Sequence, residues 1–266
     1  MSSNWGFCDL SISKNYDIDK LHIIEKLGFN TIAINTCLEE GSDEPKKKKK
    51  KGDTREIKDF VPPPMDLPKD NNFQTKLNIL QRITIEFSDS GIVHKLNRSE
   101  NIKKYDIIAV IPKTLQAFQY ACSSMDIDII SFETEGRIPF KVHRKLYKQA
   151  VDRGIFFEIM YSPIIRDSTA RKNIISNAHV YHTVGKSKNI ILTSGADNHM
   201  YIRSVNDIIN LGFLLGLNHN ESLEVVRNNT RRLILKTEGR KCGKHYMSFS
   251  PIENKINEDY FGILFL

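Results

Sequence analysis

Two groups of residues in this 266-residue chain have the types and spacing to do chemistry. The first is basic and hydroxylic: Arg166-Asp167-Ser168-Thr169-Ala170-Arg171-Lys172, where a helix is expected to start, with Lys113 and Arg203 following two other expected strands. Cations at a helix N-terminus oppose the backbone dipole. A phosphate would reverse that balance, because backbone N–H groups, the Ser168 and Thr169 hydroxyls and the arginine forks would all donate to it. The competing reading is solvation, or for Arg166 a pairing with Asp167 or Glu158. The second group is acidic: Glu86 ends one strand, Glu158 lies in another, and Asp197-Asn198-His199 follows a third. Carboxylates and imidazoles gathered at strand ends can hold divalent metals for phosphoester hydrolysis, although Glu86 and Glu158 could equally pair with a neighbouring Arg or Lys. His179 and His182 stand three apart on an expected helix, a spacing that suits two ligands or an exposed face. No Gly-x-Ser-x-Gly elbow marks a nucleophile, and residues 239–244 lack both the spacing and the hydroxyl of a phosphate loop.

Short β-rich runs that alternate with helical patterns must position these groups. Strands are expected at 7–12, 31–36, 82–87, 106–112, 128–132, 156–161 and 190–194. Ile18, Leu21, Ile24 and Leu27 recur at helical spacing between Asp17, a suitable N-cap, and Gly28, a suitable terminator. Thr114 can cap a helix with Leu115, Phe118, Ala121, Cys122 and Met125 on its apolar face. Asp167 can cap another with Ala170, Ile174, Ala178 and Tyr181. Two more helical stretches follow the last strand, carrying Val205, Ile208, Ile209, Gly212 and Phe213, then Leu223, Val226, Leu233 and Ile234. About seven parallel strands linked mostly by single helices suit a TIM-like (β/α) barrel of the α/β class better than an open doubly wound sheet. In such a barrel Lys113, Arg166 to Lys172 and Arg203 would share the C-terminal rim.

Residues 39–72 interrupt the pattern with acids, a run of six lysines at 46–51 and a proline cluster, so a flexible basic insert is expected there within a single domain spanning 1–240. That insert could be a solvated loop, a nuclear address or a nonspecific RNA tether. A tail is expected at 241–266. The net charge of +7 comes from 39 Lys and Arg against 32 Asp and Glu, and without the lysine run 33 face 32. Polyanion binding by the folded part therefore calls for a local patch. Cys8, Cys37, Cys122 and Cys242 are far apart and read as reduced core residues rather than a disulfide frame or a zinc knuckle. No stretch approaches the roughly 18 apolar residues of a membrane span, which points to a soluble intracellular protein.

Several ordered phrases resemble one family. They are Tyr105-Asp106-Ile107-Ile108-Ala109-Val110-Ile111-Pro112-Lys113-Thr114, Ala150-Val151-Asp152-Arg153-Gly154, Phe157-Glu158-Ile159-Met160-Tyr161-Ser162-Pro163, Ile165-Arg166-Asp167-Ser168-Thr169 with Arg171, and Arg203 followed by Asn210-Leu211-Gly212. Phe7-x-Asp9-Leu10 adds weaker support. Together they resemble the thirty-kilodalton protein subunit of nuclear ribonuclease P and ribonuclease MRP. The resemblance implies a barrel of the polymerase and histidinol phosphatase type that acts as a subunit of a nuclear, nucleolar ribonucleoprotein without a cofactor. It implies further that the RNA cleaves precursor tRNA, and that this protein braces the RNA and pairs with a small ferredoxin-like subunit. The alternative is a metal-dependent phosphoesterase of the same barrel type using Glu86, Glu158, Asp197 and His199. Such an enzyme would carry Asp-x-His-x-His on its first strand and Thr-Asp-His after its second. This chain has Asp9-Leu10-Ser11-Ile12 and Asn35-Thr36-Cys37 instead.

Overall fold

The computed structural model describes residues 5–40, 59–65, 76–89, 91–134 and 136–243. The lysine run at 46–51, most of the expected insert and nearly all of the expected tail lie outside the described residues. Seven parallel strands follow in chain order: β1 (Cys8–Ser13), β2 (Thr31–Leu38), β3 (Asn78–Phe87), β4 (Ile107–Pro112), β5 (Ile129–Ile130), β6 (Phe156–Met160) and β7 (Ile190–Thr193). A parallel bridge between Ile12 and Ala196, with Ser13 N–H donating to Ala196 O at 2.9 Å and Gly195 N–H to Ser11 O at 2.8 Å, nearly closes the sheet on itself. The barrel expected from the strand–helix alternation is the fold observed.

Strands covered on both faces are apolar almost throughout; every residue of β4 is buried. Register assigns the faces. Arg82 pairs with Ile107, Thr84 with Ala109 and Glu86 with Ile111, so these side chains point to one side of the sheet, toward the lumen. Cys8, Leu10, Ala33, Ile107, Ala109, Ile129, Phe156 and Ile191 fill that lumen and meet Leu233 and Ile234.

The latter two belong to α9 (Asn229–Cys242), which lies across the N-terminal ends of the strands. Asn229 donates to Ile190 O at 2.8 Å at one end of this helix; at the other, Arg240 donates to Asp106 O at 2.7 Å and to Asp128 at 3.2 Å. A tail is expected from residue 241, yet the helix continues to Cys242. Its last turn has partners: Arg240, and Lys241, which pairs with Asp106.

The remaining helices are α1 (Leu21–Lys26), α2 (Gly91–Arg98), α3 (Leu115–Ser123), α4 (Arg144–Asp152), α5 (Ser162–Arg166), α6 (Ser168–Gly185), α7 (Val205–Leu214) and α8 (His219–Leu223). Asp17, Thr114 and Asp167 cap as expected, accepting from Asp19, Ala117 and Ala170 N–H. Gly28 sits at φ +99°, a left-handed conformation that suits glycine.

Four details differ from expectation. β5 is two residues long, and β3 starts four residues before its predicted position. Only Cys8 and Cys122 are buried, whereas Cys37 and Cys242 are exposed. Within the expected insert, residues 59–65 dock: Asp59 accepts from Glu100 and Asn101 N–H at 3.0 Å, Val61 is buried, and Pro62 O accepts from the Tyr105 hydroxyl at 3.1 Å. Among the described residues no helix is long and apolar enough to cross a membrane.

Candidate nucleic-acid interface

The centre of the barrel is held by an ion pair. Arg82 on β3 reaches across to Glu158 on β6 through two parallel bonds, Nη1 to Oε1 at 2.5 Å and Nη2 to Oε2 at 2.7 Å, and both side chains are wholly shielded from solvent. The guanidinium also donates to Leu10 O at 2.8 Å and to Thr84 Oγ1 at 3.1 Å, while the Thr193 hydroxyl donates to Glu158 Oε1 at 2.7 Å. Burial by itself would raise the Glu158 carboxyl, but the Arg82 charge and hydrogen bonds and the Thr193 hydroxyl outweigh it and hold the group below the usual range.

Asp9 on β1 has no such cation. It accepts from Ser194 N–H at 3.0 Å and Ser11 N–H at 3.3 Å, its Oδ2 has no partner, and burial pushes it up to about 6.

The metal alternative does not fit this arrangement. Glu158 is saturated by Arg82, Glu86 pairs with Lys113 at 2.9 Å, and Asp197 pairs with Arg166 at 3.3 Å. Three of the four expected ligands are thus tied to three different cations. Among the described residues no group of three His, Cys, Asp or Glu could hold a metal ion. His199 sits in a single turn after β7 whose N-cap is Asn198. Two small hollows, one beside Lys113 and Glu133 and one between Met160 and Tyr181 of α6, have volumes of about 10 and 20 Å³, room for a water and no substrate.

The seven expected phosphate-binding residues come from three βα connections, as the barrel requires. Lys113 follows β4 and pairs with both Glu86 and Glu133. Arg166 does not open the long helix. It ends α5, a short helix the sequence did not reveal, where the dipole favours a cation. It stacks over Tyr201, 5.1 Å from the ring centroid, while pairing with Asp197. Ser168, Thr169, Arg171 and Lys172 form the exposed first turn of α6, and Arg203 is exposed after β7. Arg171 Nε donates to Ile164 O at 2.8 Å. The start of α6 already has an anion, because the Asp167 carboxylate accepts from Ala170 N–H at 2.6 Å. A phosphate there would have to share the helix end with it.

Arg82 is the residue that reading the sequence missed. The signal was present: in Arg82-Ile83-Thr84-Ile85-Glu86 every second residue is polar. On a strand covered on both faces, an inward arginine requires a carboxylate partner.

Residues 6–242 match the family model described as RNase P subunit p30. The chain is 33% identical over 248 residues to the mouse ribonuclease P protein subunit p30, covering 89% of this chain and 87% of that protein. It is 27% identical over 236 residues to the probable ribonuclease P protein subunit 3 of Schizosaccharomyces pombe, covering 89% and 90%. It is 28% identical over 144 residues to the ribonuclease P/MRP protein subunit RPP1 of Saccharomyces cerevisiae, covering 54% and 48%. Among solved structures, a chain of an archaeal ribonuclease P determined by cryo-EM with mature tRNA superposes with a TM-score of 0.62 at 14% identity, covering 94% of this chain and all of that one. That last likeness concerns the fold.

Proposed function

The chain belongs to the ribonuclease P subunit p30 family, and from that premise we propose how it works: as a noncatalytic protein subunit of ribonuclease P, it stabilises the folded RNA that removes the 5′ leader of precursor tRNA. The observation that carries the noncatalytic reading is the Arg82–Glu158 pair, which fixes a guanidinium against the carboxylate that a metallophosphatase of this shape would need free.

The finer parts of the reading rest on chemistry and on the relatives' names. Service in ribonuclease MRP, and with it rRNA processing, is supported by the name of the Saccharomyces relative. A nuclear, nucleolar location and pairing with a small ferredoxin-like subunit follow from the family resemblance. Contact with RNA through the rim is supported by the exposure of Ser168, Thr169, Arg171, Lys172 and Arg203 on one end of the barrel. Arg166 would join by exchanging its exposed partner Asp197 for phosphate, an exchange of low cost because surface ion pairs contribute only about 0–1 kcal/mol, while Lys113 would give up the half-buried Glu86 and the exposed Glu133. Recognition of this kind reads backbone charge and RNA shape rather than base sequence.

Purification of the tagged full-length chain, with sequencing of the RNA that accompanies it, tests the assignment. Ribonuclease P RNA, with or without MRP RNA, is expected in the eluate, and its absence would end the proposal. On the purified complex, charge reversal at Arg171 and Arg203 is expected to weaken RNA binding and flatten its salt dependence by about one unit per lost phosphate contact. The isolated chain should show no metal-stimulated phosphoesterase activity that depends on Asp197.

A further inference from the structure

A second concentration of positive charge lies outside the rim residues, on the β5–α4 connection and the start of α4. Residues 137–148 hold Arg137, Lys141, Arg144, Lys145 and Lys148 with no Asp or Glu, and His143 stands among them. Outside this stretch and the run at 46–51, 28 Lys and Arg face 32 Asp and Glu, so the rest of the chain is net acidic. All six side chains are exposed, and none of them pairs with a carboxylate among the described residues.

The backbone beneath this charge is fixed. Ile138 N–H donates to Asn177 Oδ1 at 3.3 Å and the Asn177 amide donates to Gly136 O at 3.4 Å. Phe140 packs against Phe118 and Phe132 with ring centroids 5.3 and 5.9 Å apart, and Val142 is buried. On α4 itself Tyr147 stacks on Phe157 at 4.0 Å and Ala150 is buried, which turns Arg144, Lys145 and Lys148 outward. Helices in a parallel barrel run against their strands, so the start of α4 emerges at the same end as the rim, beside α6.

We propose that Arg137, Lys141, His143, Arg144, Lys145 and Lys148 form an RNA-phosphate contact surface distinct from the rim residues Lys113, Arg166, Ser168, Thr169, Arg171, Lys172 and Arg203. The proposal rests on the ribonuclease P reading above and adds where on the chain the RNA backbone lies. Fixed cations that have no carboxylate partner among the described residues release salt from a polyanion on contact. A protein partner would call for an apolar centre in the patch. The large exposed apolar side chains among the described residues, Met200, Phe213 and Leu214, lie elsewhere, after β7 and on α7.

The test uses the full-length chain, in vitro transcribed ribonuclease P RNA and the reconstituted complex. In the quadruple variant Lys141→Gln, Arg144→Gln, Lys145→Gln, Lys148→Gln, the plot of log affinity against log salt should flatten by about 3, with affinity near 0.15 M salt falling roughly 10- to 100-fold. The melting temperature should stay the same because every substituted side chain is exposed. The charge-keeping variant Lys141→Arg, Lys145→Arg, Lys148→Arg should retain the wild-type slope. Unchanged slope and affinity in the quadruple variant would overturn the surface while leaving the ribonuclease P reading intact. So would unchanged RNA binding with loss of a protein subunit from the complex, which would assign the patch to an acidic protein. Failure of the wild-type chain to join the RNA in any assembly would sink both.

Discussion

Arg82 and Glu158 meet at the centre of the barrel as a bidentate pair. Each is buried completely, and each would be intolerable alone in that lumen. Replacing Arg82 by Met strands a carboxylate and should cost about 3–5 kcal/mol in urea unfolding. The double variant Arg82→Met, Glu158→Leu should recover most of that loss, and a cycle without coupling would contradict the geometry. Asp9 gives the opposite signature. Its folded-state carboxyl lies up at about 6 because burial penalises the charge, against about 4 in an unfolded chain. A carboxyl whose folded value is raised contributes stability that is complete below about pH 4 and lost as pH rises through about 6, a swing of about 3 kcal/mol. Asp9→Asn should therefore gain on the wild type between pH 4 and pH 7, and parallel stability curves for the two proteins would refute this.

At the scale of elements, α4 and α6 are set by close packing as much as by hydrogen bonds. Gly185, in the last turn of α6, lies so near Tyr147 of α4 that a Cβ there would run into the ring. The Tyr147 hydroxyl continues past it to donate to Lys188 O at 2.7 Å. Gly185→Ala should thus push α4 away and cost about 1–3 kcal/mol, seen as a lower denaturant midpoint. The break between α5 and α6 has a local cause as well. Asp167 adopts an extended conformation at φ −132°, ψ 137°, ending one helix and capping the next. A cap of this kind can be read from a sequence, and Asp167 was. The five-residue turn before it could not, because five residues are too few to show helical periodicity.

For the whole molecule, α9 is the element that makes the barrel a solid body. Leu233 and Ile234 close the lumen from the N-terminal side, and Lys236, Arg240 and Lys241 tie the helix to the starts of β4 and β5. Leu233→Ala should cost about 2–5 kcal/mol. Because that residue meets several strands, near-UV and far-UV circular dichroism should lose signal together as the variant unfolds. Separate transitions would mean that α9 is an accessory rather than part of the core.

The amino-acid order alone determined the strand–helix alternation, the caps at Asp17, Thr114 and Asp167, the absence of histidine from the first two strands and the family phrases from Tyr105 onward, because these are local patterns of polarity and residue type. Only the tertiary structure decided which charges meet. Arg82 and Glu158 are 76 residues apart, Arg166 and Asp197 are 31 apart, and Arg240 and Asp128 are 112 apart. No local pattern encodes such pairings; strand register and barrel closure bring them together. The same closure leaves the cations of residues 137–148 on the outside, without carboxylate partners among the described residues.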